Sequence, residues 1–269
     1  MTERLDALLV KRGMARSRQI ARELIESGSV TIDGKSATKA STPIDTDVPY
    51  ELKLTAHHPA HQYVSRAATK LMNALDACPQ VPIEGLRCID LGASTGGFTQ
   101  VLLERGASKI EAVDVGHEQL HPSLTTDPRV NNWDRTHLAR LDPAQIGGPA
   151  RLVVADLSFI SLCSVMDSLR ALVSDDGWLL LMVKPQFEVG RRKLGKGGVV
   201  RSGSLRRDAV LRVISQAQLN GLALAQIVSS GLPGPAGNRE YFVLLTPGFG
   251  DAPEAEHWWP SNSSEPVLH

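Results

Sequence analysis

Lys184 stands directly behind the apolar run Leu179-Leu-Leu-Met-Val183, and Asp156 closes the run Leu152-Val-Val-Ala. An ammonium at the end of a buried strand is costly unless paired, and burial or a second cation disposes it to give up its proton. Asp156 is a natural partner. Such a pair either handles protons or is a buried ion pair without chemistry. A second cluster is Ile89-Asp-Leu-Gly-Ala-Ser-Thr-Gly-Gly-Phe-Thr99. Apolar residues lead into Asp90, a small-residue turn carries Gly92, Gly96 and Gly97, and a helical run begins at Phe98. That turn lets backbone N–H groups approach a polar ligand closely. Gly92 and Gly96 are separated by three residues, so this is not the dinucleotide G-x-G-x-x-G. Asp114 lies 24 residues beyond Asp90 and ends the next apolar run. A carboxylate there can accept both hydroxyls of a ribose. Asp134 is a further candidate, for an adenine amino group, and Asp90 orients the turn.

These residues need a scaffold of alternating strands and helices. Apolar runs predict strands over 86–91, 110–114, 130–134, 152–156, 178–183, 222–229 and 241–245, with helices over 98–104, 161–173 and 205–221. Near-continuous apolar strands argue an α/β fold with a parallel sheet covered on both faces. Ligands of such sheets lie beyond the carboxyl ends of the strands. Asp90, Asp114, Asp134, Asp156 and Lys184 all fall at or near those ends.

Ahead of this scaffold, Leu5, Leu8 and Leu9 mark a helix that Gly13 ends. Ser17 caps a second helix with the stripe Ile20, Ala21, Leu24 and Ile25, which Gly28 closes. A hairpin follows: Val30-Thr-Ile32, the turn Asp33-Gly34, and a return through Lys39, with another strand over 50–54. The chain therefore divides into an N-terminal domain over 1–55, a linker over 56–63, a large α/β domain over 64–247 and an acidic tail over 248–269.

The 269 residues carry 29 basic and 29 acidic side chains, so net charge names no partner. Distribution says more. Residues 11–22 hold five basic side chains and no acid, and residues 184–212 hold nine against two. Two basic patches suggest a polyanion touched at two places. Cys78, Cys88 and Cys163 share no metal spacing, and the linker histidines His57, His58 and His61 have no Cys, Asp or Glu nearby to complete a ligand set. No metal is expected. With no apolar run of about 20 residues and no apolar leader, the expected location is the cytoplasm, without stable membrane insertion.

The glycine turn looks like the nucleoside-binding loop of S-adenosylmethionine (SAM)-dependent methyltransferases, implying SAM as cofactor, with Asp90, Gly92, Ser94, Gly96, Gly97, Phe98, Asp114 and Asp134 on its side of the site. The two short helices and the Val-x-Ile-Asp-Gly hairpin resemble the S-four-type RNA-binding module, an α+β fold. That resemblance implies RNA contacts by Lys11, Arg12, Arg16, Arg18, Arg22 and Lys35, mainly to phosphate. Lys70, Asp156, Lys184 and Glu240 match in order and context the Lys-Asp-Lys-Glu tetrad of FtsJ/RrmJ-like RNA ribose 2′-O-methyltransferases. Five stretches are similar to the TlyA proteins: Val64-Ser-Arg-Ala-Ala-Thr-Lys-Leu71, residues 90–99, Val153-Val-Ala-Asp-Leu-Ser-Phe-Ile-Ser161, Val183-Lys-Pro-Gln-Phe-Glu-Val-Gly190 and Leu232-Pro-Gly-Pro-Ala-Gly-Asn-Arg-Glu-Tyr241.

The resemblance spans nearly the whole chain. It implies a Rossmann-like methyltransferase acting on the ribose 2′-OH of cytidine in ribosomal RNA within subunits. Lys184 would take the proton, Asp156 orient Lys184, and Lys70 and Glu240 fix the ribose. Arg66, Arg191, Arg192, Lys193 and Lys196 join the RNA-facing set, the last four on a glycine-rich loop expected to close over the strand. One departure stands in the linker, where family members often carry Arg-Ala-Trp-Val and this chain reads His61-Gln-Tyr-Val64. That departure leaves open whether the linker couples RNA docking to cofactor binding. The short N-terminus and the Pro/Ser-rich tail favour the form restricted to the large subunit. The competing readings are an RNA-binding assembly factor with an inactive methyltransferase fold and a membrane-active haemolysin. Oligomeric state is open.

Overall fold

In the computed structural model, residues 2–15, 17–26, 29–54, 63–190 and 194–248 are described. The chain separates into two units, residues 1–66 and 67–269.

In the first unit the leucine spacing makes α1 (Leu5–Lys11), with Leu5, Leu8 and Leu9 buried. Gly13, at φ 69°, turns the chain out of it. Ser17 Oγ accepts from Ile20 N at 3.2 Å and caps α2 (Arg18–Glu26), whose Ala21, Leu24 and Ile25 are buried. Gly28 lies outside the described residues. The Asp33-Gly34 turn has both residues at positive φ, as a two-residue hairpin requires. It joins β2 (Val30–Ile32) to β3 (Lys35–Ser36), so the return strand is shorter than expected, and β5 (Leu52–Leu54) pairs on the other edge of β2. A second small sheet was not foreseen: β1 (Thr2–Arg4) pairs antiparallel with β4 (Pro43–Asp45). One side chain of these two strands is buried, Ile44, so neither shows an apolar pattern.

The second unit begins with α3 (Ala67–Ala77). Its sheet has seven strands in the order β11-β12-β10-β9-β6-β7-β8. They are β6 (Arg87–Leu91), β7 (Lys109–Val113), β8 (Val130–Trp133), β9 (Ala150–Ala155), β10 (Val173–Val183), β11 (Leu222–Ser229) and β12 (Tyr241–Pro247). Side chains alternate between faces. Ile89, Leu91, Val153, Ala155, Leu179, Leu181 and Val243 join a core with α5 (Met166–Leu172) and α6 (Gly203–Leu219). On the opposite face Phe242 meets Phe98 of α4 (Gly97–Glu104), ring centroids 6.0 Å apart. Both faces are covered.

The sheet is not wholly parallel, which corrects the expectation. β12 runs antiparallel to β10 and β11. Residues 230–240, rich in Gly and Pro, form no helix and supply no crossover, so the strand returns reversed. This reversal has a consequence for the site. Tyr241 pairs with Val183, so the start of β12 lies at the carboxyl end of β10. Glu240 and Lys184, next to those residues, are brought to the same edge.

Candidate functional site

The turn after β6 passes hard against the end of β9. A Cβ on Gly92, at φ 78°, would lie 2.7 Å from the Asp156 carbonyl oxygen, so only glycine fits. Ser94 N donates to Asp114 Oδ2 at 2.8 Å, and Gly116 N donates to Oδ1 at 2.6 Å. The Asp114 carboxylate is thereby fixed at the end of β7, and each oxygen keeps a lone pair. Asp90 is fully buried within β6 and accepts from Thr99 Oγ1 at 2.7 Å. Burial pushes its carboxyl up to about 7, against the pull of the Thr99 hydroxyl.

Beside this turn lies a cavity of about 580 Å³. Gly92, Ser94 and Asp114 line one side, His137, Leu138 and Ala139 another, and the run Asp156–Ile160 a third.

At the rim two lysine–carboxylate pairs stand together. Lys70 Nζ, from α3, is 2.5 Å from Glu240 Oε2, and both residues are buried. Gln186 Nε2 donates to Glu240 Oε1 at 3.4 Å. Lys184 Nζ is 2.6 Å from Asp156 Oδ1, in an ion pair without the alignment of a hydrogen bond. Burial raises the Asp156 carboxyl above its ordinary range. The charges of Lys184 and Lys70 oppose that shift and Glu240 adds to it, so the two pairs share one field. The arrangement can hold a hydroxyl, receive its proton and spread the charge.

The FtsJ-like methyltransferase family matches residues 63–246, and the S4 domain matches residues 3–48. The 16S/23S rRNA (cytidine-2′-O)-methyltransferase TlyA of Mycobacterium tuberculosis is 50% identical over 242 residues, covering 90% of this chain and 89% of that one. The chain belongs to the TlyA family of FtsJ-like methyltransferases. The 23S rRNA (cytidine-2′-O)-methyltransferase TlyA of Campylobacter jejuni is 35% identical, covering 84% of this chain and 92% of that one. A hemolysin-named structure from Streptococcus thermophilus has a TM-score of 0.73 at 33% identity and covers 96% of this chain and 94% of that one.

In this TlyA-family chain the expected site residues part into groups. Lys70 and Glu240, and Asp156 and Lys184, are paired. Gly92, Ser94 and Asp114 line the cavity, while Asp90, Gly96, Gly97, Phe98 and Asp134 do not. Phe98 packs into the core, and Gly96 leaves no room for a Cβ beside Leu120 and Leu124. Asp134 accepts from Glu118 N at 2.7 Å, which holds its carboxyl below the ordinary range.

Among the basic candidates, Lys11 pairs with Glu3, and Arg12 lies over the Tyr50 ring. Arg4, Arg18 and Arg22 converge on the buried carboxylate of Asp6, and the Arg4 hydrogen bond, seconded by Arg18, holds it far below the carboxylate range. Lys35 is exposed on the hairpin and Arg66 precedes α3. Arg16, Arg191, Arg192, Lys193, the Lys196 side chain, linker residues 56–62 and the tail beyond Gly248 lie outside the described residues.

Three residues of the site went unread. Phe159 is 91% exposed, lines the cavity and contacts Phe187 with ring centroids 5.3 Å apart. Ser158 accepts a hydrogen bond from Lys184 Nζ at 2.6 Å. Buried Glu188 accepts from Ser161 Oγ at 2.5 Å and Leu162 N at 2.8 Å. An aromatic three residues past a strand-end acid was a visible signal for the first. The others depend on pairings across 26 and 27 residues of chain.

Proposed function

We propose that this chain uses SAM to methylate the ribose 2′-hydroxyl of cytidine in ribosomal RNA within subunits. The substrate proposed is the large-subunit RNA; the name of the 50%-identical relative adds the small-subunit RNA for that protein, and separated subunits decide between the two forms. The observation that carries the reading is the double lysine–carboxylate arrangement at the rim of the cavity. Nothing in methylation of a base or a protein calls for it, whereas a ribose hydroxyl holds its proton tightly and needs a base or a cation at the oxygen.

The cavity suits SAM. Asp114 offers free lone pairs to a ribose diol, and Leu138, Leu157 and Ile160 offer apolar flanks to a purine. Bound there, SAM would supply a sulfonium methyl, which leaves the sulfur as the ribose oxygen bonds to it. Lys184 accepts the 2′-hydroxyl proton, Asp156 holds Lys184, and Lys70 with Glu240 positions the ribose. Phe159, exposed beside Lys184, offers its face to the target base. Alignment of the two substrates supplies most of the rate.

The S4 unit supplies RNA affinity through its arginines. No helix among the described residues is long and apolar enough to cross a membrane. A ribosomal substrate places the reaction in the cytoplasm. Labelled SAM, separated ribosomal subunits and purified protein test the reading. Label should enter rRNA, and Lys184→Ala should abolish it; equal incorporation by that variant overturns the assignment.

A further inference from the structure

Lys184 is held by two contacts of different kinds. Asp156 attracts it by charge at 2.6 Å without hydrogen-bond alignment. Ser158 Oγ, also at 2.6 Å, is the only acceptor of an aligned hydrogen bond from Nζ among the described residues. Charge attraction sets a distance but barely a direction, whereas a hydrogen bond sets both. The direction in which Lys184 presents its remaining N–H groups or lone pair is therefore fixed by Ser158.

Ser158 is itself held firmly. The next residue, Phe159, has φ 63°, a left-handed conformation rare for an aromatic. Its ring rests on Phe187, and Ser161 and Leu162 are tied to Glu188. Three contacts thus zip the segment after β9 to the segment after β10: Ser158 to Lys184, Phe159 to Phe187, and Ser161 with Leu162 to Glu188. Packing of exposed side chains does not need such an arrangement; a precise lysine direction does.

We propose that Ser158 is a positioning residue that aims Lys184 at the acceptor hydroxyl by taking one of its N–H groups. This rests on the 2′-O-methyltransferase reading. Ser158 donates no proton to the substrate. It acts through Lys184, whose charged neighbours are Asp156 at the end of β9, Lys70 on α3 and Glu240 ahead of β12.

Removing an acceptor from the ammonium disfavours the charged form and also loosens its direction. Methyl transfer from labelled SAM to purified large ribosomal subunits, followed from neutral to alkaline pH, tests this with Ser158→Ala, Ser158→Thr and Lys184→Ala. Ser158 is exposed, so both serine variants should fold; Lys184→Ala is compared at matched folded fraction, read by circular dichroism. In Ser158→Ala we expect kcat to fall about 10- to 100-fold and the rising limb of the pH–rate profile to move to lower pH. Ser158→Thr, which keeps the oxygen, should restore both rate and limb. An unmoved limb in Ser158→Ala, or a threonine variant as impaired as alanine, overturns the proposal. If Lys184→Ala is inactive beside an unchanged Ser158→Ala, Ser158 alone is wrongly assigned. If Lys184→Ala is fully active, the 2′-O reading fails and the proposal with it.

Discussion

Lys70 Nζ and Glu240 Oε2 meet at 2.5 Å across 170 residues of chain. The contact exists because β12 is reversed, which carries Glu240 to the edge where Lys184 follows β10. The two residues are both buried, so the energetics of the pair can be separated from its chemistry. Removing one partner strands a buried charge, at about 3–5 kcal/mol. Lys70→Ala should therefore lower the urea midpoint strongly and abolish methylation. A double variant, Lys70→Met with Glu240→Leu, should recover most of the stability and none of the activity. Recovery of activity in the double variant would show the pair to be structural only.

Asp90 makes stability depend on pH. Its folded carboxyl is raised to about 7 by burial, above the unfolded value near 3.8. The folded chain thus binds more protons than the unfolded one between those values, and stability falls as pH rises. The contribution is full below about pH 4 and lost through about pH 7, with an upper size of about 4 kcal/mol. Denaturation midpoints across this window should decline in the natural chain, and Asp90→Asn should flatten that decline. An equal decline in both would assign it to other groups.

Asp114 accepts from Ser94 N and Gly116 N at the turn, and in the proposed reading its outer lone pairs take a ribose diol. Asp114→Ala should weaken binding of S-adenosylhomocysteine about 10- to 100-fold, in keeping with about 1.5–3 kcal/mol for hydrogen bonds to a charged group. Titration calorimetry reads it. RNA affinity should stay unchanged.

Phe159 is almost wholly exposed, so Phe159→Ala should shift stability by no more than about 0.5 kcal/mol. Loss of a base stacked on an aromatic is worth about 1–3 kcal/mol. Single-turnover methylation should fall accordingly, about 5- to 100-fold, and Phe159→Trp should retain it. Undiminished methylation by the alanine variant would remove the ring from the site.

Arg18 and Arg22 remain about half exposed while anchored on Asp6. Each phosphate contact they make should add roughly 0.7–0.9 to the slope of log affinity against log salt. Arg18→Ala should weaken binding to ribosomal RNA and flatten that slope by about one contact, measured by filter binding at several salt concentrations.

Much of this architecture was legible in the sequence because its strands are apolar on both faces and its turns are marked by Gly, Pro or Asp-Gly. β6, β9 and β10 announce themselves as unbroken apolar runs, and Ser17 marks its helix start. The orientation of β12 was not read, since an apolar run has no direction; the Gly/Pro stretch 230–240, which forms no helix, held the clue. β1 and β4 were missed because two three-residue strands with one buried side chain between them, Ile44, carry no periodicity. Within the site, Lys184 and Asp156 were visible as charges closing buried strands. Ser158 and Glu188 were not, because a hydroxyl and an acid are ordinary surface residues until a distant segment packs against them. Asp134 shows a different case: a strand-end acid whose carboxylate also accepts from the neighbouring loop backbone at Glu118, a contact that no local pattern announces.

The central claim is the atom that receives the methyl group. Separated ribosomal subunits should be methylated with SAM, the rRNA digested to nucleosides, and the product placed by mass spectrometry. The account predicts 2′-O-methylcytidine, absent with Lys184→Ala. A methyl group on a base or on a ribosomal protein would contradict it.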